Sequence, residues 1–248
     1  MIQILLSGAG GKMGQVISRS VSERVDCRIA AGIDRQSAAV DYPIFEKPSD
    51  CDVCCDVIID FSHPSLLEPL LDYAVSRKIP AVVCTTGLSP EQVDKLKEAA
   101  DKIPVFFSAN MSLGVSLLCE LAKKAAKVLG SDFDIEIIEK HHNRKLDAPS
   151  GTALMLADAI AEELAQPPQY VYDRHSRRAA RSQEEISIHS VRGGTIVGEH
   201  EILFAGHDEI LSLTHTAMSK EIFATGAINA AIFLAKQQPG LYNMGDLV

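Results

Sequence analysis

Short apolar runs alternate with helical patterns over the first half of the chain. The runs are rich in β-branched and aliphatic residues and are predicted to be buried strands: 2–6, 27–33, 57–61, 81–84 and 105–107. The segments between them, including 15–23 and 66–76, carry apolar residues at helical spacing, and Ser89-Pro90-Glu91 is a helix start signal. Strands that alternate with helices predict a doubly wound parallel sheet of the Rossmann type.

The second half has a different pattern. After a long helix at 112–129, strands are predicted at 133–138, 185–191, 195–205 and 209–217, with one helix at 152–164. This pattern predicts an α+β domain with an open mixed sheet, and an open face favours self-association. A helix at 220–237 is predicted to return to the first domain. The expected domains are therefore 1–112 with 219–248, and 113–218.

The segment 166–182 is predicted to be a mobile loop. Its basic residues, Arg174, Arg177, Arg178 and Arg181, suggest a solvated surface, with packing against an acidic partner subunit as the alternative.

A glycine-rich turn directly follows the first strand. Gly8, Gly11 and Gly14 precede a helical pattern, and Gly10 also supplies the commoner dinucleotide spacing. Such glycines permit a tight turn, backbone access to a pyrophosphate and close packing of helix and strand. With Asp34 at the end of the next strand, the pattern predicts a dinucleotide site. The turn comprises Gly8, Ala9, Gly10, Gly11, Lys12 and Met13.

The second strand end leaves the choice of cofactor open. Asp34 can accept hydrogen bonds from ribose hydroxyls, which favours NADH. Arg35 and Lys12 can balance a 2′-phosphate, which favours NADPH. We expect both cofactors to bind.

Other polar residues follow the later strands of the first domain. Because ligands of such sheets bind at the carboxyl ends of the strands, these residues are expected to line a nicotinamide pocket. They are Phe61, Thr85, Thr86, Ser108, Ala109, Asn110 and Met111.

Composition and charge narrow the class of partner. The chain has 248 residues, 46% of them hydrophobic, and a net charge of -9, which argues against nucleic acid or anionic membranes as partners. Six cysteines without a disulfide spacing are typical of reduced cytosolic thiols, and Cys51, Cys54 and Cys55 lack a second pair of metal ligands. We therefore expect a cytoplasmic protein without a metal site.

The densest chemistry lies between Glu139 and Ala153. His141, His142, Arg144 and Lys145 come shortly before Pro149-Ser150-Gly151-Thr152, where a helix begins. A helix N-terminus beside cationic side chains forms a seat for carboxylates or phosphate, and His and Lys can transfer protons. The alternative is a solvated basic loop with an ordinary helix cap; we favour a site for a small anionic ligand.

This stretch resembles the signature of the dihydrodipicolinate reductases, also called 4-hydroxy-tetrahydrodipicolinate reductases. The similarity covers nearly the whole chain, in order. The other segments that resemble the family are 8–14, 60–62, 85–87, 107–114, 190–194 and 198–200.

The resemblance implies NADH- or NADPH-dependent reduction of a small cyclic dicarboxylate in diaminopimelate and lysine biosynthesis by a homotetramer. It implies His141 and Lys145 as the catalytic pair, with either one supplying the proton. Carboxylate binding would fall to His142, Lys145, Ser150, Gly151 and Thr152. The nucleotide would contact Gly8–Met13, Asp34, Cys84–Thr86, Ser108–Met111 and, after closure, Lys220.

Two positions depart from the family pattern. Cys84 stands where glycine is usual, and Lys220 stands where arginine is common. Two other functions are alternatives: a two-domain amino-acid dehydrogenase, or a nucleotide-binding redox sensor without catalysis. The first lacks the run from His141 to Thr152, and the second has no need of a cationic pocket.

Overall fold

A computed structural model describes residues 1–36, 39–108 and 110–247. The chain divides into two compact units. Unit 1 contains the residues up to Leu113 together with those from Lys220 onward, and unit 2 is the continuous segment Gly114–Ser219. The chain therefore leaves unit 1 once and returns to it.

Unit 1 contains a parallel sheet of seven strands in the order β12-β6-β5-β4-β1-β2-β3. All its neighbouring strands are parallel, and the order reverses at β1, as in dinucleotide-binding folds. The strands are β1 Ile2–Ser7, β2 Cys27–Ile33, β3 Ile44–Phe45, β4 Val57–Asp60, β5 Ala81–Val83, β6 Pro104–Phe107 and β12 Gly240–Tyr242. The prediction of a Rossmann-type sheet is confirmed.

Two strands at the edges of this sheet were not predicted. β3 has two residues and β12 has three, so neither is long enough to show a strand period. β12 pairs with β6 through Leu241 and Val105, and it places the end of the chain inside unit 1.

Helices cover both faces of this sheet. They are α1 Lys12–Ser22, α2 Leu67–Arg77, α3 Pro90–Ala100 and α6 Glu221–Leu234. Ile4 and Leu6 of β1 belong to the core that includes residues of α1 and α6, whereas Leu5 belongs to the core with α2 and α3. This alternation follows from the two-residue period of a strand.

Unit 2 contains a mixed sheet of five strands in the order β11-β10-β7-β9-β8. The strands are β7 Asp134–His141, β8 Gln169–Val171, β9 Glu185–Arg192, β10 Gly198–Ala205 and β11 Ile210–Ala217, and the helices are α4 Leu113–Leu129 and α5 Gly151–Ala161. β10 is antiparallel to β7 and β11, whereas β7, β8 and β9 are parallel to each other. The prediction of a mixed-sheet α+β domain is confirmed.

One face of this sheet packs against α4 and α5. Its buried residues include Ile135 and Ile137 of β7 and Phe204 of β10, together with Leu118 and Leu156 of the helices. By strand alternation, Glu136, Ile138, Leu203 and Ile210 point to the opposite face. Ile210 is 67% exposed, so this open face presents both apolar and charged residues.

The interpretation of 166–182 as a solvated loop is wrong for part of the segment. β8 lies within it, and Arg181 donates hydrogen bonds to the carboxylates of Glu136 and Asp134. Arg174 forms an ion pair with Glu185. A run of arginines does not show in sequence which carboxylates on distant strands will pair with them.

The helix α6 approaches the segment that follows β6 at a glycine. A Cβ atom placed on Gly226 would lie 1.6 Å from the carbonyl oxygen of Met111. Only a glycine permits this approach, because a backbone carbonyl cannot rotate away as a side chain can.

We expect Gly226→Ala to destabilise the protein by about 3 kcal/mol, because the overpacking cost exceeds the gain in helix propensity. Thermal or urea unfolding measures this change. Gly151→Ala is the matched control, since nothing lies within 4 Å of an added Cβ there. Unchanged stability of Gly226→Ala would contradict the close approach.

Candidate active site

Backbone carbonyl groups lie close to the glycine turn of unit 1 and leave no space for side chains. Gly8 has a φ of 80°, and a Cβ on it would lie 2.5 Å from the carbonyl oxygen of Phe61. A Cβ on Gly14 would lie 2.2 Å from the carbonyl oxygen of Gly8. Gly11 caps α1 without a side-chain hydrogen bond, so the N–H groups of the first turn are available to an anionic ligand. These features fit a dinucleotide pyrophosphate.

Asp34 lies beside this turn, at the end of β2. Its Oδ2 accepts a hydrogen bond of 2.8 Å from the N–H of Gly10, and its Oδ1 accepts one of 3.0 Å from the N–H of Gln36. Each carboxylate oxygen has more than one acceptor direction, so Asp34 can still accept bonds from ribose hydroxyls. The backbone thus fixes the carboxylate in one orientation.

A cavity of about 490 Å³ opens at this edge of the sheet. Five of the predicted cofactor residues line it: Gly8, Gly11, Asp34, Arg35 and Phe61. The volume and the mixture of apolar and polar lining fit one half of a dinucleotide.

Several other predicted cofactor residues have buried side chains. Ala9, Cys84 and Met111 belong to the core on the α1 and α6 face, and Met13 packs against it. The N–H of Ala9 already bonds to the carbonyl of Ile33. These side chains therefore pack in the core next to the site and offer no polar groups to a ligand.

The remaining predicted cofactor residues lie at strand and helix ends. Thr85 is buried and donates a 2.6 Å hydrogen bond to the carboxylate of Asp60. Ser108 bonds to the carbonyl of Asn110, whose side chain accepts from the N–H of Ser112. The exposed positions are Lys12, Thr86 and Lys220. Ala109 lies outside the described residues.

The site in unit 2 is built around the carboxyl end of β7. This strand runs to His141, three residues beyond its predicted end. Glu139 lies on the helix-covered face and its side chain is 0% exposed. Arg192, at the end of β9, approaches it with both terminal nitrogens, at 2.7 and 2.8 Å.

Glu139 also contacts His141 and the start of α5. Its Oε2 lies 2.6 Å from Nδ1 of His141, and its Oε1 accepts a 3.1 Å bond from the N–H of Ser150. Burial acts to raise the pKa of Glu139, but hydrogen bonds from Arg192, Ser190 and His141 outweigh it and hold the pKa at about 2. Glu139 is therefore ionised at neutral pH.

An ionised carboxylate only accepts hydrogen bonds, so Nδ1 of His141 carries the proton. Burial lowers the pKa of His141 below its ordinary value, although Glu139 acts to raise it. Near neutral pH the ring is then mostly uncharged, with its lone pair on Nε2.

His200 of β10 completes the group. It is buried, its Nε2 lies 2.9 Å from Oγ of Ser150, and its ring meets the ring of His141 edge to face at 5.2 Å. Burial, with a smaller contribution from His141, lowers the pKa of His200 to about 4. Ser150 also caps α5, because its Oγ accepts from the N–H of Ala153.

The other predicted residues lie in the loop between β7 and α5. Nζ of Lys145 lies 2.8 Å from the carboxylate of Asp147, and the side chain of Lys145 is 22% exposed. Nδ1 of His142 is buried without a hydrogen-bond partner in the described part of the chain. Gly151 and Thr152 form the first turn of α5.

Sequence reasoning gave no role to Glu139, Arg192 or His200. A signal was present, because His200 has the same strand parity as Ile202 and Phe204, and Arg192 has the parity of Ile186 and Ile188. A polar residue at a buried parity close to a strand end indicates a site.

The two units together define a class. A Rossmann-type unit that fits a nicotinamide nucleotide and a second unit with a histidine, lysine and arginine site form a two-domain oxidoreductase.

Comparison with known proteins identifies the family. The model of "Dihydrodipicolinate reductase, N-terminus" matches residues 2–111, and that of "Dihydrodipicolinate reductase, C-terminus" matches residues 114–248. The chain belongs to the dihydrodipicolinate reductase family.

Relatives named 4-hydroxy-tetrahydrodipicolinate reductase span the same length. That of Caldanaerobacter subterraneus subsp. tengcongensis is 49% identical and covers 100% of this chain and 98% of the relative. That of Clostridium tetani is 46% identical over 98% of this chain and 96% of the relative.

Two solved structures are similar to this chain. The dipicolinate-bound dihydrodipicolinate reductase of Paenisporosarcina sp. TG-14 has a TM-score of 0.83 at 27% identity and covers 100% of both chains. A diaminopimelate dehydrogenase of C. glutamicum has a TM-score of 0.59 at 12% identity, covers 99% of this chain and 93% of its own, and shows the fold alone.

Glu139 gives the stability a defined pH dependence. A carboxylate with a lowered pKa stabilises the fold above its unfolded pKa of about 4.5, and this contribution is lost as the pH falls towards about 2. We expect Glu139→Gln to have a lower free energy of unfolding than the unmodified protein at neutral pH. Between pH 4.5 and about pH 2 the free energy of unfolding of the variant should fall by a smaller amount, with a difference on the order of 2 kcal/mol. Urea unfolding at a series of pH values measures the difference. Parallel curves would contradict the shifted pKa.

Proposed function

We propose that this protein reduces 4-hydroxy-tetrahydrodipicolinate, also described as dihydrodipicolinate, to tetrahydrodipicolinate with NADH or NADPH, in diaminopimelate and lysine biosynthesis. Membership of the reductase family supports the reaction class. The observation that carries the substrate is the grouping of His141, His142 and Lys145 beside the N-terminus of α5.

A cyclic dicarboxylate suits this site. His142, Lys145 and Ser150 offer side-chain donors, and Gly151 and Thr152 offer N–H groups at the positive end of the helix dipole. Two carboxylates on one ring can engage the cationic side chains and the helix end together. The absence of a Cβ at Gly151 keeps the helix end accessible, since nothing lies within 4 Å of that position.

The protonation states suggest how the catalytic work is divided. A bound nicotinamide supplies a hydride, and the reduced ring then requires a proton. His141, with its proton on Nδ1 and bonded to Glu139, offers a lone pair at Nε2 and accepts a hydrogen bond when neutral. Lys145 is the proton donor in this proposal.

The cofactor proposal is dual specificity. Asp34 is oriented by two backbone N–H groups and suits the ribose hydroxyls of NADH. Arg35 lines the same cavity and suits the 2′-phosphate of NADPH. Both groups face one space, so either nucleotide finds a partner.

We also propose a homotetramer formed through the open face of the unit 2 sheet. Ile138, Leu203 and Ile210 lie on that face, and apolar residues on an uncovered sheet favour association. Sedimentation equilibrium tests this, and a monomer would contradict it.

A cytoplasmic location is part of the proposal. The cysteines are free thiols, which a reducing compartment maintains. Within the described ranges, no helix combines the length and apolar character needed to cross a membrane.

The direct test is oxidation of NADH and NADPH, with the substrate generated in place from pyruvate and aspartate semialdehyde by the preceding synthase. Pyridine-2,6-dicarboxylate, a flat dicarboxylate, is expected to inhibit. Nucleotide binding without turnover would contradict the proposed substrate but not the proposal that unit 1 binds a nicotinamide nucleotide.

Lys145→Ala is expected to lower kcat by about 10²–10⁴-fold while cofactor affinity persists, because the proton donor is lost. Steady-state kinetics with a cofactor binding titration measures both quantities. Lys127→Ala, on the exposed side of α4, is the matched control. A kcat within threefold of the unmodified enzyme would exclude Lys145 from the mechanism.

Asp34→Ala and Arg35→Ala are expected to change cofactor choice in opposite directions. The first removes acceptors for the ribose hydroxyls and should weaken NADH binding by about tenfold; the second should weaken NADPH by a similar factor. Fluorescence titration of each nucleotide measures the dissociation constants. Equal losses for both nucleotides in either variant would contradict the division of roles.

A further inference from the structure

The ion pair of Glu139 and Arg192 also contacts other residues of the unit 2 site. Besides the bond from Ser190, Glu139 accepts hydrogen bonds from His141, from the Ser150 N–H and from both terminal nitrogens of Arg192. Oε2 receives Nδ1 of His141 and one Arg192 nitrogen; Oε1 receives the N–H of Ser150 and the other Arg192 nitrogen. One carboxylate thus connects β7, β9 and the start of α5.

Arg192 extends the connection to the loop that carries Lys145. The nitrogen that contacts Oε1 of Glu139 also donates a 2.7 Å bond to the carbonyl oxygen of Asp147. The side chain of Asp147 in turn holds Lys145 at 2.8 Å. The position of the loop therefore depends on the same ion pair that orients His141.

We propose that Glu139 and Arg192 are positioning residues for the reaction. Glu139 fixes the proton of His141 on Nδ1, and Arg192 fixes the position of the loop that carries Lys145 relative to His141. This inference rests on the proposed function for its catalytic consequence. Its structural part, the tautomer of His141, does not require turnover.

The surroundings of His141 make the choice of nitrogen decisive. A Cβ placed on Gly198 would lie 3.1 Å from Nε2 of His141, so a glycine keeps the space beside that nitrogen free. With the proton held on Nδ1, Nε2 presents a lone pair to this space. The other neutral tautomer would present an N–H group instead and would leave the Glu139 carboxylate without one donor.

The charges around His141 predict a pH effect. Glu139 on β7 raises its pKa, whereas burial and the cations Arg192 of β9 and Lys145 of the loop lower it. His200 of β10 also faces the ring. Removing the Glu139 charge takes away the contribution that raises the pKa of His141, so its transition moves to lower pH.

Glu139→Gln tests the proposal because glutamine has one acceptor oxygen and cannot satisfy His141, Arg192 and Ser150 together. We expect kcat to fall by about 10–100-fold, with nucleotide affinity within twofold of the unmodified enzyme. The pH transition of kcat is expected to move to lower pH. Nitrogen-15 spectra of labelled histidine are expected to show loss of the Nδ1–H form of His141.

Two conservative variants separate positioning from folding. Glu139→Asp keeps the charge and is expected to recover part of the lost kcat. Arg192→Lys keeps a cation, but a single ammonium group cannot reproduce the two-nitrogen contact with Glu139 together with the Asp147 carbonyl. It is expected to lower kcat while His141 keeps its Nδ1–H form.

The same strand supplies a matched control. Glu136 of β7 also pairs with an arginine, Arg181, and a histidine, His189, but on the opposite face of the sheet. Glu136→Gln removes the same kind of carboxylate and is expected to keep kcat within about twofold, with sedimentation equilibrium recorded for both glutamine variants.

A folded Glu139→Gln enzyme with kcat within threefold, or with an unchanged His141 spectrum, overturns the proposal. If Glu139→Gln fails to fold, Glu139→Asp and Arg192→Lys decide it, and unmodified kcat in both also overturns it. Absence of turnover in the unmodified protein would instead refute the proposed function, while the histidine spectra would still test the tautomer.

Discussion

A carboxylate on the helix-covered face of a sheet is tolerated only when its charge is balanced and its oxygens are hydrogen-bonded. Glu139 meets this condition through Arg192, and the geometry of the unit 2 site follows from it. Because Arg192 stands at the end of β9 and Glu139 near the end of β7, the pair joins two parallel strands close to their carboxyl ends. The loop that leaves β7 is then held at its start by His141 and at its finish by Ser150.

The two units present anionic ligands with different kinds of donor. Unit 1 offers mainly backbone N–H groups at the start of α1, and its glycines are required because neighbouring carbonyls lie too close for a Cβ. Unit 2 offers side chains whose charge depends on their neighbours. Backbone donors suit a pyrophosphate that is bound and released unchanged, whereas titratable side chains suit a ring that must gain a proton.

The sequence predicted the elements that are long enough to show a hydrophobic period and the motifs that have a fixed spacing. The order of β1, the glycine turn and α1 was readable because each feature is local. β3 and β12 are too short for a period, and they form only because neighbouring strands offer hydrogen bonds. The sequence predicts a solvated Arg181 because the carboxylates that pair with it lie more than forty positions earlier in the chain. The pairing of Glu139 with Arg192 spans 53 positions and was missed for the same reason.

The path of the chain has a consequence for synthesis on the ribosome. Unit 2 is one continuous segment, so all its strands emerge before α6 and can pair without waiting for later residues. Unit 1 reaches its full sheet only when β12 arrives, and the apolar surface that α6 covers, including Ile59 and Val82, stays open until α6 has emerged. The inserted unit can therefore fold first, whereas unit 1 completes its core only after α6 has emerged.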